Sequence, residues 1–301
     1  MAVTGMMMDL KRMAVHDGPG LRTTLFLKGC PLRCIWCHNP EGISSRSQLA
    51  YYAHKCIGCG QCVSACPRYA HSITAEGHVY DRTKCVSCGA CVDACLGDAL
   101  KLYGHKVTVE EALALALEDR MFYGETGGVT LSGGEPMLQK EFVLHFLKAA
   151  KAEKLHTAID TCGCAAWEAY EAILPYADMF LYDIKHIDPE KHRLLTGQSN
   201  ERILDNLKRL SDAGKCIEIR MPLVPGCNDD PETLEKIGEY LGQMSISKMR
   251  VLPYHSLARS KYASLGLQDT MPDVPSPSDE QIEAVVTLLN RHHVPAVSGR
   301  A

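Results

Sequence analysis

Residues 23–37, TTLFLKGCPLRCIWC, join an apolar run to three closely spaced cysteines. The run over residues 23–29 is rich in β-branched and apolar side chains, which favours a short β-strand. The cysteines that follow are Cys30, Cys34 and Cys37, in the spacing C-x3-C-x2-C. Three thiolates in one loop can hold three corners of a cubane 4Fe-4S cluster and leave the fourth iron without a protein ligand. This stretch therefore predicts a strand that leads into a cluster with one open iron.

A structural zinc site is the alternative interpretation of the same three cysteines. Such sites close with four ligands, which are usually drawn as two separated pairs. His38 is available as a fourth ligand, but it directly follows Cys37, which is poor geometry for completing a tetrahedron. The spacing favours the iron-sulfur cluster over zinc.

Beyond this loop, the chain alternates short strands with helices. Six strands, each backed by a helix, indicate a parallel sheet, and the lack of a dinucleotide glycine signature favours a barrel over a doubly wound sheet. The predicted fold class is α/β, with a partial (β/α)6 barrel. After residues 23–29, strands are predicted at residues 128–132, 156–160, 179–184, 216–222 and 248–253, and helices at residues 109–120, 140–154, 165–174, 202–213, 232–243 and 279–291.

Polar and glycine residues follow the ends of the six predicted strands. In parallel barrels the functional side chains lie in these loops, at the carboxyl ends of the strands. We therefore expect one functional rim. Its members are Cys30, Gly133 to Pro136, Asp160 with Thr161, Lys185, Arg220 with Pro225 and Gly226, and His255.

Residues 51–103 interrupt the alternation and carry an approximate internal repeat. The repeat reads CIGCGQCVSACP from Cys56 and CVSCGACVDACL from Cys85, an offset of 29 residues. Leu96 stands where the first copy has Pro67, a departure that removes no ligand. The spacing is typical of two-cluster ferredoxins, in which the fourth cysteine of each run ligates the other cluster. The predicted ligands are Cys56, Cys59, Cys62 and Cys95 for one 4Fe-4S cluster, and Cys66, Cys85, Cys88 and Cys91 for the second.

The predicted domains are thus a barrel formed by residues 1–50 and 104–301 and an inserted ferredoxin-like domain at residues 51–103. Two closed clusters favour an electron relay toward the open cluster. A structural module that orients a partner is the alternative. The remaining cysteines lack ligand spacing and are expected to be buried thiols: Cys162, Cys164, Cys216 and Cys227.

Composition limits the class of protein. The chain has 301 residues, 46% hydrophobic and 23% charged, which is typical of globular enzymes and excludes a disordered chain. Eleven of the fifteen cysteines fall between Cys30 and Cys95. Without a signal-peptide pattern or an apolar run of roughly 20 residues, we expect a cytoplasmic protein with no membrane partner, where clustered thiols hold metal. A net charge of -4 argues against a nucleic-acid partner.

The cysteine triplet, with Trp36 before its last member, resembles the radical S-adenosylmethionine (SAM) superfamily. Residues 132–136, SGGEP, resemble that family's "GGEP" motif, whose backbone and carboxylate meet the amino group of SAM. In this family the open iron chelates the methionine part of SAM. One electron then cleaves the sulfonium to methionine and a 5'-deoxyadenosyl radical. The resemblance implies the family's partial barrel and its use of SAM.

Residues 15–41 resemble the opening of the activating enzymes of glycyl radical enzymes, the branch that includes pyruvate formate-lyase activase. The likeness extends over the chain outside the insert. Residues 160–163 resemble the branch's "DT-x-G" pattern and residues 183–185 its "D-x-K" pattern. Residues 220–226 resemble "R-x-P-x-x-PG", and residues 252–255 resemble "LP-[FY]-H".

This resemblance implies roles for residues at the rim. Lys185 would approach the SAM carboxylate, and Lys185 and Arg220 would offset negative charge. Asp160, Thr161 and Asp183 resemble the oxygen ligands of a monovalent cation beside SAM. The predicted catalytic set is Cys30, Cys34, Cys37, Lys185 and Arg220. The predicted SAM contacts are Trp36, Cys37, His38, Gly133, Gly134, Glu135, Pro136, Asp183, Ile184, Lys185 and His255.

The function expected from this resemblance is that of an activase. It would abstract hydrogen from a backbone glycine of a separate glycyl radical enzyme, act as a monomer, and receive electrons from flavodoxin or ferredoxin. The expected cofactors are three 4Fe-4S clusters, SAM and a monovalent cation. Pyruvate formate-lyase activase lacks the eight-cysteine insert, which points instead to partners of the choline lyase, isethionate lyase, diol or hydroxyproline dehydratase, or arylacetate decarboxylase types.

Two other functions stay open. One is a radical SAM enzyme that acts on a small molecule or a polypeptide side chain, with the insert as an auxiliary-cluster domain. The other is an iron-sulfur electron carrier without SAM chemistry.

Overall fold

The computed structural model describes residues 2–299, which form thirteen strands and ten α-helices. The strands are β1 (Thr4–Ala14), β2 (Arg22–Leu27), β3 (Gln48–Tyr51), β4 (His71–Thr74), β5 (Gly77–Tyr80), β6 (Leu100–Tyr103), β7 (His105–Thr108), β8 (Gly128–Gly133), β9 (His156–Thr161), β10 (Met179–Asp183), β11 (Cys216–Leu223), β12 (Lys248–Pro253) and β13 (Ala296–Ser298). The helices are α1 (Gln61–Ala65), α2 (Ala90–Asp93), α3 (Val109–Leu117), α4 (Lys140–Ala152), α5 (Trp167–Ile173), α6 (Pro189–Thr196), α7 (Glu201–Asp212), α8 (Pro231–Leu241), α9 (Arg259–Leu265) and α10 (Asp279–Arg291).

One nine-stranded sheet organises most of the chain. Its order is β13-β12-β11-β10-β9-β8-β2-β1-β7, and the described strands leave it open at both edges. The strands from β2 to β13 in this order are parallel, whereas β1 runs antiparallel to both β2 and β7. The predicted α/β fold with a partial parallel barrel is confirmed, and the six predicted strands all form.

The sheet forms because its parallel strands are apolar on both faces and helices cover the outer one. Four successive residues of β10, Met179 to Tyr182, are buried. Helix α4 buries Phe142, Val143, Phe146 and Leu147, which lie on one face at helical spacing. Helix α3 begins with a capping box between Thr108 and Glu111.

Several elements were not predicted from the sequence. Strand β1 buries the adjacent Met7 and Met8 and then exposes Asp9 and Lys11, so it shows neither a continuous apolar run nor a clean alternation. Helices α6 and α9 have 8 and 7 residues, which is too short for a clear periodic pattern. Strand β13 adds a seventh parallel strand of 3 residues beside β12. Among the described helices, none is long and apolar enough to cross a membrane.

The cysteine-rich insert is joined to the barrel through a two-stranded neck. Strands β3 and β6 pair antiparallel, from Gln48 opposite Tyr103 to Tyr51 opposite Leu100. Between them lie α1, the β4–β5 hairpin and α2. Cys62 and Cys91 are buried in a small core of their own with Leu49 and Leu100. The predicted domain boundaries fall at this neck. Of the predicted barrel segments, residues 1, 300 and 301 lie outside the described range.

Candidate functional site

A cavity of about 500 Å³ opens at the carboxyl ends of the parallel strands. Its volume is in the range of small-ligand sites. Most of the predicted site residues line it: Cys30, Cys34, Trp36, Cys37, His38, Gly133, Gly134, Asp160, Thr161, Asp183, Lys185, Arg220 and His255. The predicted rim residues Pro225 and Gly226 do not line it. Three predicted SAM contacts do not line it: Glu135, Pro136 and Ile184.

The loop with the three cysteines is held in place by two short helices. The last turn of α6 accepts hydrogen bonds from the backbone N–H groups of Arg33, at 2.6 Å, and Ile35, at 3.0 Å. From α9, the Tyr262 hydroxyl donates to the Cys37 carbonyl at 3.0 Å. These bonds fix the backbone on both sides of Cys34.

Lys261, also in α9, donates three hydrogen bonds to residues that follow Cys37 at the end of this loop. Its Nζ donates to the His38 carbonyl at 2.9 Å, to Asn39 Oδ1 at 3.2 Å and to Glu41 Oε1 at 2.6 Å. On its other side, α9 meets the insert, because Arg82 donates to the Ser264 carbonyl at 2.7 Å. Helix α9 therefore contacts both cysteine-rich parts of the chain.

The chemistry of the cysteine loop fits a bound metal cluster. Burial raises the pKa of Cys34 to about 12 and that of Cys37 to about 11. Such thiols are protonated at neutral pH unless a metal binds them and releases the protons. A fourth cysteine, Cys162, hydrogen-bonds with Cys30, and this bond is the main reason why the pKa of Cys30 is lowered. Cys162 thus lies beside one of the three thiols.

Gly133 and Gly134 let the end of β8 pass against the cysteine loop. Gly133 has φ of +120°, in the region that favours glycine. A Cβ on Gly134 would overlap the carbonyl oxygens of Gly29 and Gly42. This contact leaves the backbone of both glycines at the cavity wall, where a ligand can approach it closely.

Glu135 is fully buried, and its carboxylate bonds to other parts of the protein. It accepts hydrogen bonds from the Met137 N–H at 3.0 Å, the Thr161 hydroxyl at 2.8 Å and the Cys162 N–H at 2.8 Å. Burial raises the pKa of Glu135. In this arrangement the carboxylate ties the end of β9 to β8, whereas the resemblance had implied that it meets SAM.

The charged side chains that line the cavity are paired with one another. Lys185 Nζ lies 2.7 Å from Asp183 Oδ2, and Arg220 Nη1 lies 3.4 Å from Asp160 Oδ1. Burial alone would lower the pKa of Lys185, but Asp183 outweighs burial and the pKa is raised. Burial raises the pKa of Asp160 to about 6, against the attraction of Arg220. Lys185 is therefore a fixed cation in the cavity.

The three predicted cation ligands all have protein partners. Asp183 pairs with Lys185, and Asp160 accepts a hydrogen bond from Ser132 Oγ at 2.6 Å. The hydroxyl of Thr161 bonds to Glu135. The monovalent cation stays a prediction.

His38 and His255 lie together at the cavity entrance. Their ring centroids are 4.1 Å apart, and His38 Nε2 lies 2.9 Å from the His255 carbonyl oxygen. Burial, and then the nearby His255, lower the pKa of His38 to about 4, so its ring is neutral at pH 7. The neutral ring of His38 can pack against an uncharged part of a ligand.

Several residues of this cavity have no role that their sequence pattern predicts. Asp17 lines the cavity, and its Oδ1 lies 3.9 Å from Arg220 Nη1. The one sequence feature that could have pointed to Asp17 is the glycine-rich turn in which it lies. Ser132, Asn39, Cys162 and Tyr254 also line the cavity. The expectation of buried thiols holds for Cys162 and is wrong for the exposed Cys216, while Cys164 and Cys227 are half-buried.

The insert contains two much smaller cavities, of about 20 Å³ and about 10 Å³. Their cysteines are the two sets that the crossed ferredoxin pairing predicts. Cys56, Cys59, Cys62 and Cys95 line the first cavity, and Cys66, Cys85, Cys88 and Cys91 line the second.

One further group of possible metal ligands occurs among the described residues. Cys62, His71 and His78 bring one ligand atom each within 4.8 Å of one another. A single ion there would take Cys62 away from the first cysteine set. The two histidine rings share a hydrogen bond of 3.0 Å.

Comparisons with known proteins agree with this site. Residues 24–237 match the family model of the Radical SAM superfamily. The chain is 43% identical over 288 residues to the trans-4-hydroxy-L-proline dehydratase activating enzyme of Clostridioides difficile, covering 94% of this chain and 95% of that protein. It is 41% identical over 295 residues to the choline trimethylamine-lyase activating enzyme of Oleidesulfovibrio alaskensis, covering 95% of each. Among solved structures, Streptococcus suis SuiB bound to precursor peptide SuiA shares the fold, with a TM-score of 0.51 at 14% identity over 64% of this chain and 42% of that chain.

Proposed function

The chain belongs to the radical SAM superfamily and, within it, to the activating enzymes of glycyl radical enzymes, and from this membership we propose how its residues act. It is an enzyme that uses a 4Fe-4S cluster and SAM to activate a glycyl radical enzyme. When bound, the cluster and SAM supply a 5'-deoxyadenosyl radical, which abstracts hydrogen from a backbone glycine of the partner. The observation that carries this function is the cavity of about 500 Å³ in which three cysteines meet fixed charges.

The residues of the cavity bind and orient SAM. Cys30, Cys34 and Cys37 hold the cluster as thiolates, and α9 and α6 keep their loop rigid. Lys185, oriented by Asp183, pairs with the carboxylate of SAM because it stays cationic in the cavity. Backbone groups of Gly133 and Gly134 accept the amino group.

Other residues pack against the adenosine end of SAM and balance the charges in the cavity. Trp36, His38 and His255 pack beside the ligand and exclude water from the reacting atoms. Arg220, paired with Asp160 and Asp17, keeps a positive charge at the cavity wall. A monovalent cation bound by Asp160, Thr161 and Asp183 would replace some of these ion pairs.

The insert, residues 51–103, holds two further 4Fe-4S clusters and passes electrons to the barrel cluster. The two cavities with four cysteines each support this assignment. Cys59 and Cys88 are exposed, so electrons from a flavodoxin or ferredoxin can enter at either cluster. An insert that only orients the partner is the second possibility, favoured by the contact between Arg82 and α9.

The partner is a glycyl radical enzyme of the group that includes lyases and dehydratases. The relatives named above activate a hydroxyproline dehydratase and a choline trimethylamine-lyase, and their lengths match that of this chain. The enzyme acts as a monomer in the cytoplasm and docks on its partner transiently.

Anaerobic reconstitution tests this function. The reduced, reconstituted protein should convert SAM to 5'-deoxyadenosine and methionine, and a cognate partner should then give a glycine-centred doublet in electron paramagnetic resonance. SAM cleavage without a glycyl signal across candidate partners would favour a small-molecule or side-chain substrate. No SAM cleavage, with all clusters present, would leave an electron carrier.

A further inference from the structure

Two histidines of the insert lie between its two cysteine sets. His71 begins β4, and His78 lies in β5, opposite Ile73. His71 Nδ1 and His78 Nε2 are 3.0 Å apart, which is a hydrogen bond, and the rings stack with centroids 5.1 Å apart. His78 lines the cavity of the first set, which includes Cys56, and His71 lines the cavity of the second set, which includes Cys85. The pair therefore contacts both cavities.

Two tyrosines extend this pair into a ladder of four rings. Tyr51 lies 4.5 Å from His78, and Tyr80 lies 4.9 Å from His71, between ring centroids. The pKa of Tyr51 is raised to about 12, first by burial and then by a hydrogen bond with Cys56. Burial, and then a hydrogen bond with Cys85, likewise raise the pKa of Tyr80. The ladder thus runs from the first cysteine of one repeat to the first cysteine of the other.

The outer nitrogens of the histidine pair lack a partner in the protein. His71 Nε2 and His78 Nδ1 are both buried and make no hydrogen bond. Burying a polar atom without a partner is unfavourable, so such atoms normally have a ligand or water to bond. Cluster sulfurs in the two cavities would be acceptors for an N–H group at these positions.

The hydrogen bond between the rings decides which outer nitrogen carries a proton. This bond needs one protonated and one bare nitrogen, and each neutral imidazole carries one N–H. If His71 donates to His78, then His78 Nδ1 is the outer N–H and His71 Nε2 is bare. If His78 donates, the assignment is reversed. A neutral pair therefore presents one N–H to one cavity and one bare nitrogen to the other.

We propose that the His71–His78 pair donates its single outer N–H to one of the two insert clusters and so separates their reduction potentials. A hydrogen bond to cluster sulfur stabilises the more negative, reduced cluster and raises its potential. The cluster that faces the bare nitrogen gains no such bond. The pair thus sets the order in which the two clusters are reduced. This inference rests on the two-cluster assignment of the proposed function.

A redox titration followed by electron paramagnetic resonance tests the proposal. The full chain is used with Cys30, Cys34 and Cys37 all changed to Ala, so that only the insert clusters give signals. The double variant His71→Phe, His78→Phe keeps the rings and removes the nitrogens. We expect two separated midpoint potentials in the parent and a smaller separation in the double variant. The matched control is His54→Phe, an exposed histidine of the insert, which should leave both potentials unchanged.

Equal potentials in the parent, or the same separation in the double variant as in the control, would overturn the proposal. If the double variant loses its iron, the single variants decide, because removing the donor ring should lower the potential of its own cluster. No shift in either single variant would also overturn it. Failure of the two-cluster assignment has a different signature. The variant without the three barrel cysteines would then hold far fewer than about eight irons per chain. A single metal ion bound by Cys62, His71 and His78 is one such outcome.

Discussion

The barrel cavity and the two insert cavities differ in a consistent way. The barrel cavity has three predicted cluster ligands and a volume of about 500 Å³. The insert cavities have four cysteines each and volumes of about 20 Å³ and about 10 Å³. A site with one ligand fewer and much more space is suited to binding a second molecule at the metal. A site with four cysteines supplies one ligand for each iron of a 4Fe-4S cluster and leaves no iron open to a second molecule.

The charges around these sites differ in the same way. The barrel cavity is lined by Lys185, Arg220, Asp160 and Asp183. The first insert cavity is lined mainly by cysteines and by apolar residues such as Ile57, Ile73 and Leu100. Fixed charges recognise a zwitterionic ligand, whereas an apolar surrounding excludes water from a cluster. These differences support the proposal that the barrel cavity is the reaction site and that the two insert cavities are electron-transfer sites.

Loss of one barrel cysteine should have the largest effect, because it should abolish both the barrel cluster and SAM cleavage. Cys34→Ala removes one of three ligands, so the barrel cluster should not assemble and SAM cleavage should fall at least about 10³-fold. Iron should drop from about twelve to about eight per chain, because the insert keeps its own ligands. Iron assay and 5'-deoxyadenosine formation measure both. Cys216→Ala, at an exposed cysteine that lines none of the three cavities, is the control. Retained cleavage in Cys34→Ala would show that the barrel cavity is not the reaction site.

Loss of the insert clusters should affect only the supply of electrons. In the double variant Cys59→Ala, Cys88→Ala, we expect iron near four per chain. SAM cleavage with flavodoxin as reductant should fall about tenfold or more, and cleavage with dithionite should stay within about twofold of the parent. Equal rates with flavodoxin in the variant and the parent would make the insert a structural module.

Removal of the Lys261 side chain should loosen the barrel site and spare the insert. Lys261→Ala loses three hydrogen bonds to the cysteine loop, and we expect a loss of about 1–3 kcal/mol in the free energy of unfolding. Urea denaturation under anaerobic conditions measures it, and the barrel cluster should be the first to lose iron to a chelator. Lys236→Ala breaks only an exposed pair with Glu232 and should cost no more than about 0.5 kcal/mol. Equal effects of the two variants would contradict a special role for Lys261.

The smallest effect, on the stability of the insert, is expected when Leu96 is changed to the proline that the first repeat has at this position. Leu96 is exposed and follows Cys95 as Pro67 follows Cys66. Leu96→Pro should restrict the unfolded chain and stabilise the insert by about 0.4–1 kcal/mol, with unchanged iron content. Thermal unfolding of the apo and reconstituted proteins measures this difference. A destabilised variant would mean that Leu96 has a backbone conformation that proline cannot adopt.

Much of the fold was predictable because its elements have strong local signals. The six parallel strands are short apolar runs, and helices such as α10 begin and end at the predicted residues. Strand β1 was missed because its pairing with β7 is made across more than 90 residues and its exposed face is charged. Helix α9 was missed because its stability comes from contacts with the cysteine loop and the insert.

The parts of the site that depend on cysteine spacing were predictable from the sequence. The direction in which a side chain points was not. Cysteine spacing led to three sets of residues, each of which lines one cavity. No sequence pattern reveals that the carboxylate of Glu135 bonds to Thr161 and Cys162. The histidine pair was also missed, since His71 and His78 meet only when the hairpin folds.

The paired neck of the insert bears on how such a chain could arise. Facing residues of an antiparallel pair lie about 5 Å apart, so the segment between Tyr51 and Leu100 leaves the barrel at nearly the point where it enters. A short turn could join these two points without moving any strand of the main sheet. Insertion at such a place is tolerated by most folds. A single recombination event could therefore give an ancestral barrel gene a ready-made electron-carrying module, or remove it again.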